Sequence, residues 1–154
     1  MREIVTEIHI QASADTVWSI LTDFGSYQNW NPFIQQAKGK AIVGQRLENR
    51  PKVSKGRGVV FRPVVTKVVP GRELRWFGHL LIPGLSDGEH IFEVEPSRRK
   101  GVRLVHRQIF KGFLVPILWP LMGGKTRSGF IRMNEALKTK SEDVQAASDL
   151  ESQV

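Results

Sequence analysis

The beginning of the chain combines a strand pattern with a helix pattern. Residues 2–11 alternate apolar and polar side chains, which predicts a strand with one buried face. Ser13 can cap a helix that has an acidic residue in its first turn, and Gly25 can end that helix. Pro32 then limits residues 26–31 to a second, short helical turn. The predicted order is one strand followed by two short helices.

Residues 35–110 are predicted to consist of strands joined by tight turns. Pairs such as Pro70-Gly71 and Pro83-Gly84 separate segments that are rich in β-branched and aromatic residues. Links this short favour antiparallel neighbours, because parallel strands need long crossover connections. The predicted strands lie at about residues 35–43, 45–53, 58–69, 73–82, 86–96 and 101–110.

A long helix is predicted from about residue 113 to residue 139, because apolar positions recur there with a period of about 3.6. Gly123 and Gly124 in its middle indicate a bend or a close contact. Residues 141–154 are acidic and are predicted to be a disordered tail. Residues 1–140 are therefore predicted to form a single domain.

Together these elements predict an α+β fold. A curved antiparallel sheet of about seven strands must cover one apolar face, and the long terminal helix is the element available to cover it. If the sheet wraps around that helix, a cavity forms between the two.

Three segments carry a resemblance to a known family. The first strand followed by SADTVWSILTDFGSYQNWNPFI, the segment ELRWFGHL and the terminal GFIRMNEALK resemble the START/Bet v 1-like (SRPBCC) superfamily, in particular its polyketide cyclase/dehydrase-like branch. The resemblance covers roughly residues 1–140. It implies the helix-grip fold, in which the sheet grips the last helix, and an internal pocket for an apolar small molecule. It does not identify that molecule, because the superfamily includes cyclases, lipid carriers, hormone receptors, ubiquinone-binding proteins and chaperone cofactors.

The composition excludes several classes of chemistry. The chain of 154 residues has no cysteine, so disulfides and thiolate sites are excluded. Its longest apolar run, residues 113–122, contains two prolines and is too short to span a bilayer. No secretory signal is visible, so we expect a cytoplasmic protein. The apolar run is either an interfacial anchor that contacts a membrane transiently or, as we favour, the first turns of the last helix packing over the pocket entrance.

The chain is strongly basic over most of its length. The net charge is +8, and residues 140–154 carry −3, so residues 1–139 carry +11. Such an excess attracts nucleic acids and anionic lipids. The basic residues are scattered and mostly suit the solvent faces of strands and turns, so contact with RNA or the ribosome stays a weakly supported alternative and DNA binding is not expected. The pattern does not indicate an oligomeric state.

Alternation along the strands assigns the pocket face. Arg75, Glu93 and Arg107 are charged and are expected to face solvent on three strands. Because side chains alternate between the two faces of a strand, the alternate positions then face inward. We expect the inward aromatic and polar side chains of these strands to contact the ligand: Trp76, His90, Phe92, His106, Gln108 and Phe110. From the last helix we add Leu118, Met122, Phe130 and Met133.

The aromatic segment FGSYQNWNPFI is predicted to divide between core and pocket. Phe24 and Tyr27 are predicted to pack in the core, whereas Trp30 and Phe33 are predicted to face the pocket near Trp76. A base-stacking role is disfavoured, because no basic residue lies within the segment to contact phosphate.

The inward histidines are the candidate polar groups of the pocket. A tight turn at residues 97–100 places His90 opposite His106, and the preceding turn places Gly78 beside His90. We expect the two histidines and Gln108 to form a polar cluster at one end of an apolar cavity, where such groups orient a ligand. The alternative is a hydrogen-bonded core cluster without a ligand.

Three functions are consistent with these features. The leading hypothesis is binding of a lipid-like, aromatic or polyketide-like molecule by a carrier or sensor. The second is a cyclase or dehydrase that uses His90 or His106 as acid or base. Strand alternation places no carboxylate beside the pair, and two histidines are an incomplete ligand set for a metal, so no metal or cofactor is expected. The third is an interaction module like the ubiquinone-binding and ribosome-associated relatives.

Overall fold

The computed structural model describes residues 1–52, 59–80 and 82–154. In this part of the chain, seven strands and three α-helices follow the predicted order. The elements are β1 (Arg2–Ile10), α1 (Ala14–Thr22), a 3-10 turn (Phe24–Ser26), α2 (Tyr27–Trp30), β2 (Ile34–Lys38), β3 (Glu48–Pro51), β4 (Val64–Val69), β5 (Glu73–His79), β6 (Asp87–Pro96), β7 (Val102–Lys111) and α3 (Val115–Ser152). The predicted helix-grip α+β fold, with two short helices after the first strand, is confirmed.

The strands form two sheets rather than one. Five antiparallel strands are ordered β1-β7-β6-β5-β4, and β2 pairs with β3 in a small second sheet. The predicted strand at 35–43 ends early because Gly39 adopts a φ of +121°, which turns the chain. Isolated bridges pair Arg46 with Val64 and Asn49 with Phe61, so residues 46–49 run beside residues 61–64. Residues 53–58, which include parts of two predicted strands, lie outside the described residues.

Helix α1 begins where the sequence predicted. The Ser13 hydroxyl accepts a hydrogen bond from the Thr16 amide at 3.1 Å, which satisfies one of the free N–H groups of the first turn. The helix buries Val17 and Leu21 in the main core. The Tyr27 hydroxyl donates to the Leu21 carbonyl. This contact fixes α2 against α1, and Phe24 and Tyr27 are buried as predicted.

The prediction of a disordered acidic tail is wrong. Helix α3 spans 38 residues and continues through the tail to Ser152. Two tail side chains accept hydrogen bonds from the corner between β1 and α1: Glu142 from the Gln11 amide and Gln145 from the Ser13 amide, both at 3.0 Å. These two bonds hold the tail helix against the domain and give two backbone donors of that corner their partners.

The outer face of the five-stranded sheet is covered by ion pairs. Arg75, Arg103 and Arg107 lie on alternate outward positions, and each bridges two acidic residues of the sheet. Their acidic partners are Glu3, Glu7, Glu73, Glu89, Glu93 and Glu95. This arrangement confirms the outward assignment of Arg75, Glu93 and Arg107. It also pairs the three arginines within the protein, so this face is not the strongly positive surface that a polyanion would need.

Candidate functional site

A cavity of about 340 Å³ lies between the inner face of the sheet, the β2–β3 hairpin and helix α3, and it opens to solvent. Its wall is mainly apolar. The strands and loops on the side of β2 to β5 contribute Phe33, Ile34, Asn49, Pro51, Phe61, Pro63, Trp76, Gly78, His79 and Leu80. The remainder of the wall consists of Ser86, Asp87, Gly88, His90, Gln108, Phe110, Met122 and Thr126.

Glycines set the width of this cavity. A Cβ on Gly88 would lie 2.8 Å from Gln108 Nε2, so a side chain at this position of β6 would grow into the space that the cavity occupies. A Cβ on Gly129 of α3 would overlap the ring of Phe33. Because Gly129 has no side chain, Phe33 can lie against the helix, where it packs edge-on against Phe130 with ring centroids 5.3 Å apart.

Half of the side chains that the sequence predicted for the pocket line the cavity. The six that line it are Phe33, Trp76, His90, Gln108, Phe110 and Met122. The other six do not line it: Trp30, Phe92, His106, Leu118, Phe130 and Met133. Four of these, Phe92, His106, Phe130 and Met133, are fully buried. Trp30 packs against Tyr27 at a centroid distance of 5.1 Å, so the pocket position predicted for it is wrong.

The observed pairing of β6 with β7 differs from the predicted pairing by two residues. His90 pairs with Gln108, and His106 pairs with Phe92 instead of with His90. The shift arises because Gly101 adopts a φ of +111° and belongs to the turn, which is longer than the predicted one. Trp76, not Gly78, lies beside His90. A shift of two residues preserves which side chains face inward, so the face assignment is correct although the pairing is wrong.

The two histidines nevertheless meet. Their Nε2 atoms are 2.5 Å apart, whereas the ring centroids are 4.7 Å apart and the ring planes differ by 20°. Because the nitrogens are much closer than the centroids, the rings meet through their edges and share a hydrogen bond. His106 also packs face to face on Phe130, with centroids 4.0 Å apart. Of the three residues of the expected polar cluster, the two histidines are in contact, and His90 and Gln108 line the cavity whereas His106 does not.

Asn134 and Thr6 extend this pair into a buried network. Asn134 Oδ1 lies 2.7 Å from His106 Nδ1, and Asn134 Nδ2 donates to Thr6 Oγ1 at 2.8 Å. The Thr6 hydroxyl donates to the backbone carbonyl of His106 at 3.2 Å. The sequence indicated both positions, since Thr6 is on the inward side of β1 and Asn134 interrupts the apolar stripe of α3. The prediction assigned neither of them to the site.

Burial keeps both histidines neutral. Loss of solvent lowers the pKa of His106 to about 3, although its hydrogen bond with Asn134 opposes the change. Loss of solvent also lowers the pKa of His90 well below its ordinary value, and the neighbouring His106 adds to this effect. Both rings are therefore uncharged at neutral pH, each with one N–H donor and one acceptor nitrogen.

An exposed apolar surface adjoins the cavity mouth. Ile82, Phe113, Ile117 and Leu121, here called the apolar rim, are between 60% and 80% exposed. The loop that carries Ile82 is held beside the start of α3 by a hydrogen bond of 3.1 Å from the Phe113 amide to the Gly84 carbonyl. Met122 does line the cavity as predicted, but the opposite side of the same turns faces solvent. Leu81, the neighbour of Ile82 in the sequence, lies outside the described residues.

No helix within the described ranges has both the length and the hydropathy required to cross a bilayer.

Comparisons with known proteins agree with this geometry. A family model described as polyketide cyclase/dehydrase and lipid transport matches residues 1–142. No curated protein matches the sequence significantly.

Several solved structures share the fold. MLL2253 from Mesorhizobium loti is 24% identical with a TM-score of 0.71, and the alignment covers 90% of this chain and 96% of that one. The di-domain aromatase/cyclase StfQ of the steffimycin biosynthetic pathway is 14% identical with a TM-score of 0.75, over 92% of this chain and 50% of StfQ. A START superfamily protein from Mycobacterium smegmatis is 18% identical with a TM-score of 0.63, over 94% and 97% of the two chains. At these identities the likeness establishes the fold.

Proposed function

The chain belongs to the polyketide cyclase/dehydrase and lipid transport family, and from this premise we propose that it binds a hydrophobic small molecule in the cavity, as a carrier or sensor. The observation that carries the proposal is the cavity itself. Its volume of about 340 Å³ falls within the range of small-molecule sites. Its wall is mostly apolar and includes a few polar groups, among them His90 and Gln108, that can orient a ligand.

Filling the cavity should abolish binding. In Gly88→Leu the new side chain meets only the flexible end of Gln108 and otherwise extends into the cavity, so the fold should persist. We expect decanol to bind more than about tenfold more weakly than to the wild type, because leucine occupies the space that the ligand needs. The matched control is Thr66→Leu, which adds the same side chain at an exposed position of β4. Equal decanol affinity for both variants would contradict the proposed site.

Tryptophan fluorescence can follow this titration, since decanol does not absorb where tryptophan emits. Trp76 lines the cavity and Trp30 does not. The decanol-induced change should therefore disappear in Trp76→Phe and persist in Trp30→Phe. The reverse result would place the ligand near α2 instead.

The surroundings of the apolar rim support transient contact with an anionic membrane as part of a carrier function. Residues 111–132, which include most of the rim, contain Lys111, Lys125, Arg127 and Arg132 and no acidic residue. Arg2 adds a further cation, with its guanidinium 5.7 Å from the centre of the Trp119 ring. Apolar side chains flanked by cations are the combination that binds at the surface of an anionic bilayer. A ligand could then pass between the membrane and the adjacent cavity without crossing water.

A charge within the rim should prevent this contact. We expect Leu121→Glu to reduce binding to phosphatidylcholine vesicles containing phosphatidylglycerol by more than about tenfold, because a carboxylate replaces a side chain that would enter the lipid. Val144→Glu is the matched control, since Val144 is an exposed apolar residue of the same helix far from the rim. Cosedimentation measures the bound fraction. Undiminished vesicle binding by Leu121→Glu, or a dimer that this change converts to a monomer, would contradict the membrane assignment.

The histidine pair supports a second candidate, an enzyme of the cyclase or dehydrase type. His90 is neutral, buried and part of the cavity wall, so it can accept a proton from a bound substrate. His106 and Asn134 would then act as positioning residues, because neither lines the cavity. An enzyme of this type should convert a bound polyketide-like substrate, and His90→Ala should lose the conversion but retain substrate binding. A carrier would bind the substrate without converting it.

A further inference from the structure

The buried network determines which nitrogen of each histidine carries hydrogen. In the observed orientation, Asn134 Nδ2 donates to Thr6 Oγ1, and the Thr6 hydroxyl donates to the His106 carbonyl. Asn134 Oδ1 can only accept, so His106 Nδ1 must donate to it across 2.7 Å. A neutral histidine has one N–H, which leaves His106 Nε2 as an acceptor.

The tautomer of His90 is then determined as well. Its Nε2 lies 2.5 Å from the acceptor Nε2 of His106, so His90 Nε2 must be the donor. Since His90 is also neutral, its Nδ1 carries a lone pair and no hydrogen. Within the described part of the chain, no side chain or backbone group donates a hydrogen bond to His90 Nδ1.

The opposite orientation of Asn134 is less favourable. If its amide were turned, the Thr6 hydroxyl would have to choose between the Asn134 oxygen and the His106 carbonyl, because a hydroxyl has one hydrogen. The turned network makes three hydrogen bonds where the observed one makes four, and losing a buried hydrogen bond is unfavourable. The observed orientation is therefore the stable one, and it fixes both tautomers.

From this chain of bonds we infer that the cavity selects a ligand with a hydroxyl group, such as a phenol, an enol or an alcohol, whose hydrogen is donated to His90 Nδ1. The inference deepens the proposed function and depends on it. It excludes ketones, ethers and esters as partners for this nitrogen, because those groups only accept. His106, Asn134 and Thr6 are positioning residues that keep His90 in the accepting tautomer.

The tautomers can be measured without any ligand. In protein labelled with ¹⁵N-histidine, long-range ¹H–¹⁵N correlation spectra distinguish protonated from unprotonated ring nitrogens. We expect His106 to be protonated at Nδ1 and His90 at Nε2. The exposed His79 is the internal reference for a ring without a fixed partner. Protonation of His90 at Nδ1 would overturn the inference.

Ligand selectivity is the second test. We expect 1-naphthol to bind about tenfold more tightly than 1-methoxynaphthalene, because the ether leaves His90 Nδ1 without a donor. Calorimetric titration of both compounds, and of naphthalene, measures the difference. In His90→Phe the preference for the hydroxyl should vanish while naphthalene still binds.

The outcomes separate this inference from the proposed function. Equal affinity of the wild type for all three compounds overturns the hydroxyl preference and leaves apolar binding intact. Failure of all three compounds to bind contradicts the proposed function, and the tautomer measurement then still confirms or overturns the accepting state of His90.

Discussion

Acidification from pH 7 to pH 5 is expected to lower the free energy of unfolding by about 2 kcal/mol through His106 alone, and the buried His90 adds to this loss. His106 has a folded-state pKa of about 3 and an ordinary value of 6.5. The pKa of His90 is also lowered in the folded state. Below pH 6.5 the unfolded chain therefore binds protons that the folded protein does not. Stability is fully present above pH 6.5 and is lost as the pH falls towards 3.

Urea unfolding at pH 7, 6 and 5 measures this loss. Glu73 and Glu142 also have lowered pKa values, but their ordinary pKa is 4.5, so they stay ionised throughout this range. In His90→Gln the slope of stability against pH should become shallower, since one of the two buried titrating groups is removed. Thr66→Leu, which changes an exposed residue of β4 that does not titrate, should leave the slope unchanged. A stability that is independent of pH between 7 and 5 would show that the histidines are not buried as described.

Replacing Asn134 by leucine is expected to destabilise the protein by about 3 kcal/mol. Leucine has a similar volume, so packing changes little, but it can neither accept from His106 Nδ1 nor donate to Thr6 Oγ1. Both polar groups would then be buried without their partner, and each such loss costs about 1–3 kcal/mol. Chemical denaturation of the wild type and the variant measures the difference.

A double-mutant cycle provides the control for this effect. Thr6→Val removes one of the two polar groups that Asn134→Leu leaves without a partner. The double variant should therefore be more stable than the sum of the two single changes predicts, by about 1 kcal/mol. Strict additivity of the two substitutions would contradict a direct bond between Asn134 and Thr6.

The sequence predicted which strand residues face inward more reliably than it predicted which residues pair across neighbouring strands. Strand alternation turned Trp76, His90 and His106 inward, and all three are buried on the inner side of the sheet. Which residues pair across the strands depended on the length of one turn, and the positive φ of Gly101 lengthened it. No local pattern distinguishes a glycine inside a turn from one that begins a strand, so the register was not predictable.

The alternation of inward and outward residues also cannot show how far the cavity extends. An inward side chain either lines the cavity or lies in the core behind its wall, and alternation does not separate these cases. Phe92 and Phe130 pack against His106 and are thereby removed from the cavity. The tail was missed for a related reason, because its helix is held by contacts with Gln11 and Ser13 that are more than 100 residues away in sequence.

Native mass spectrometry of the protein purified from its own host, with Gly88→Leu purified in parallel, shows whether the cavity holds a hydrophobic small molecule. We expect the wild type to retain an apolar, hydroxyl-bearing compound and Gly88→Leu to retain none. The same compound bound to both proteins would contradict binding in the cavity.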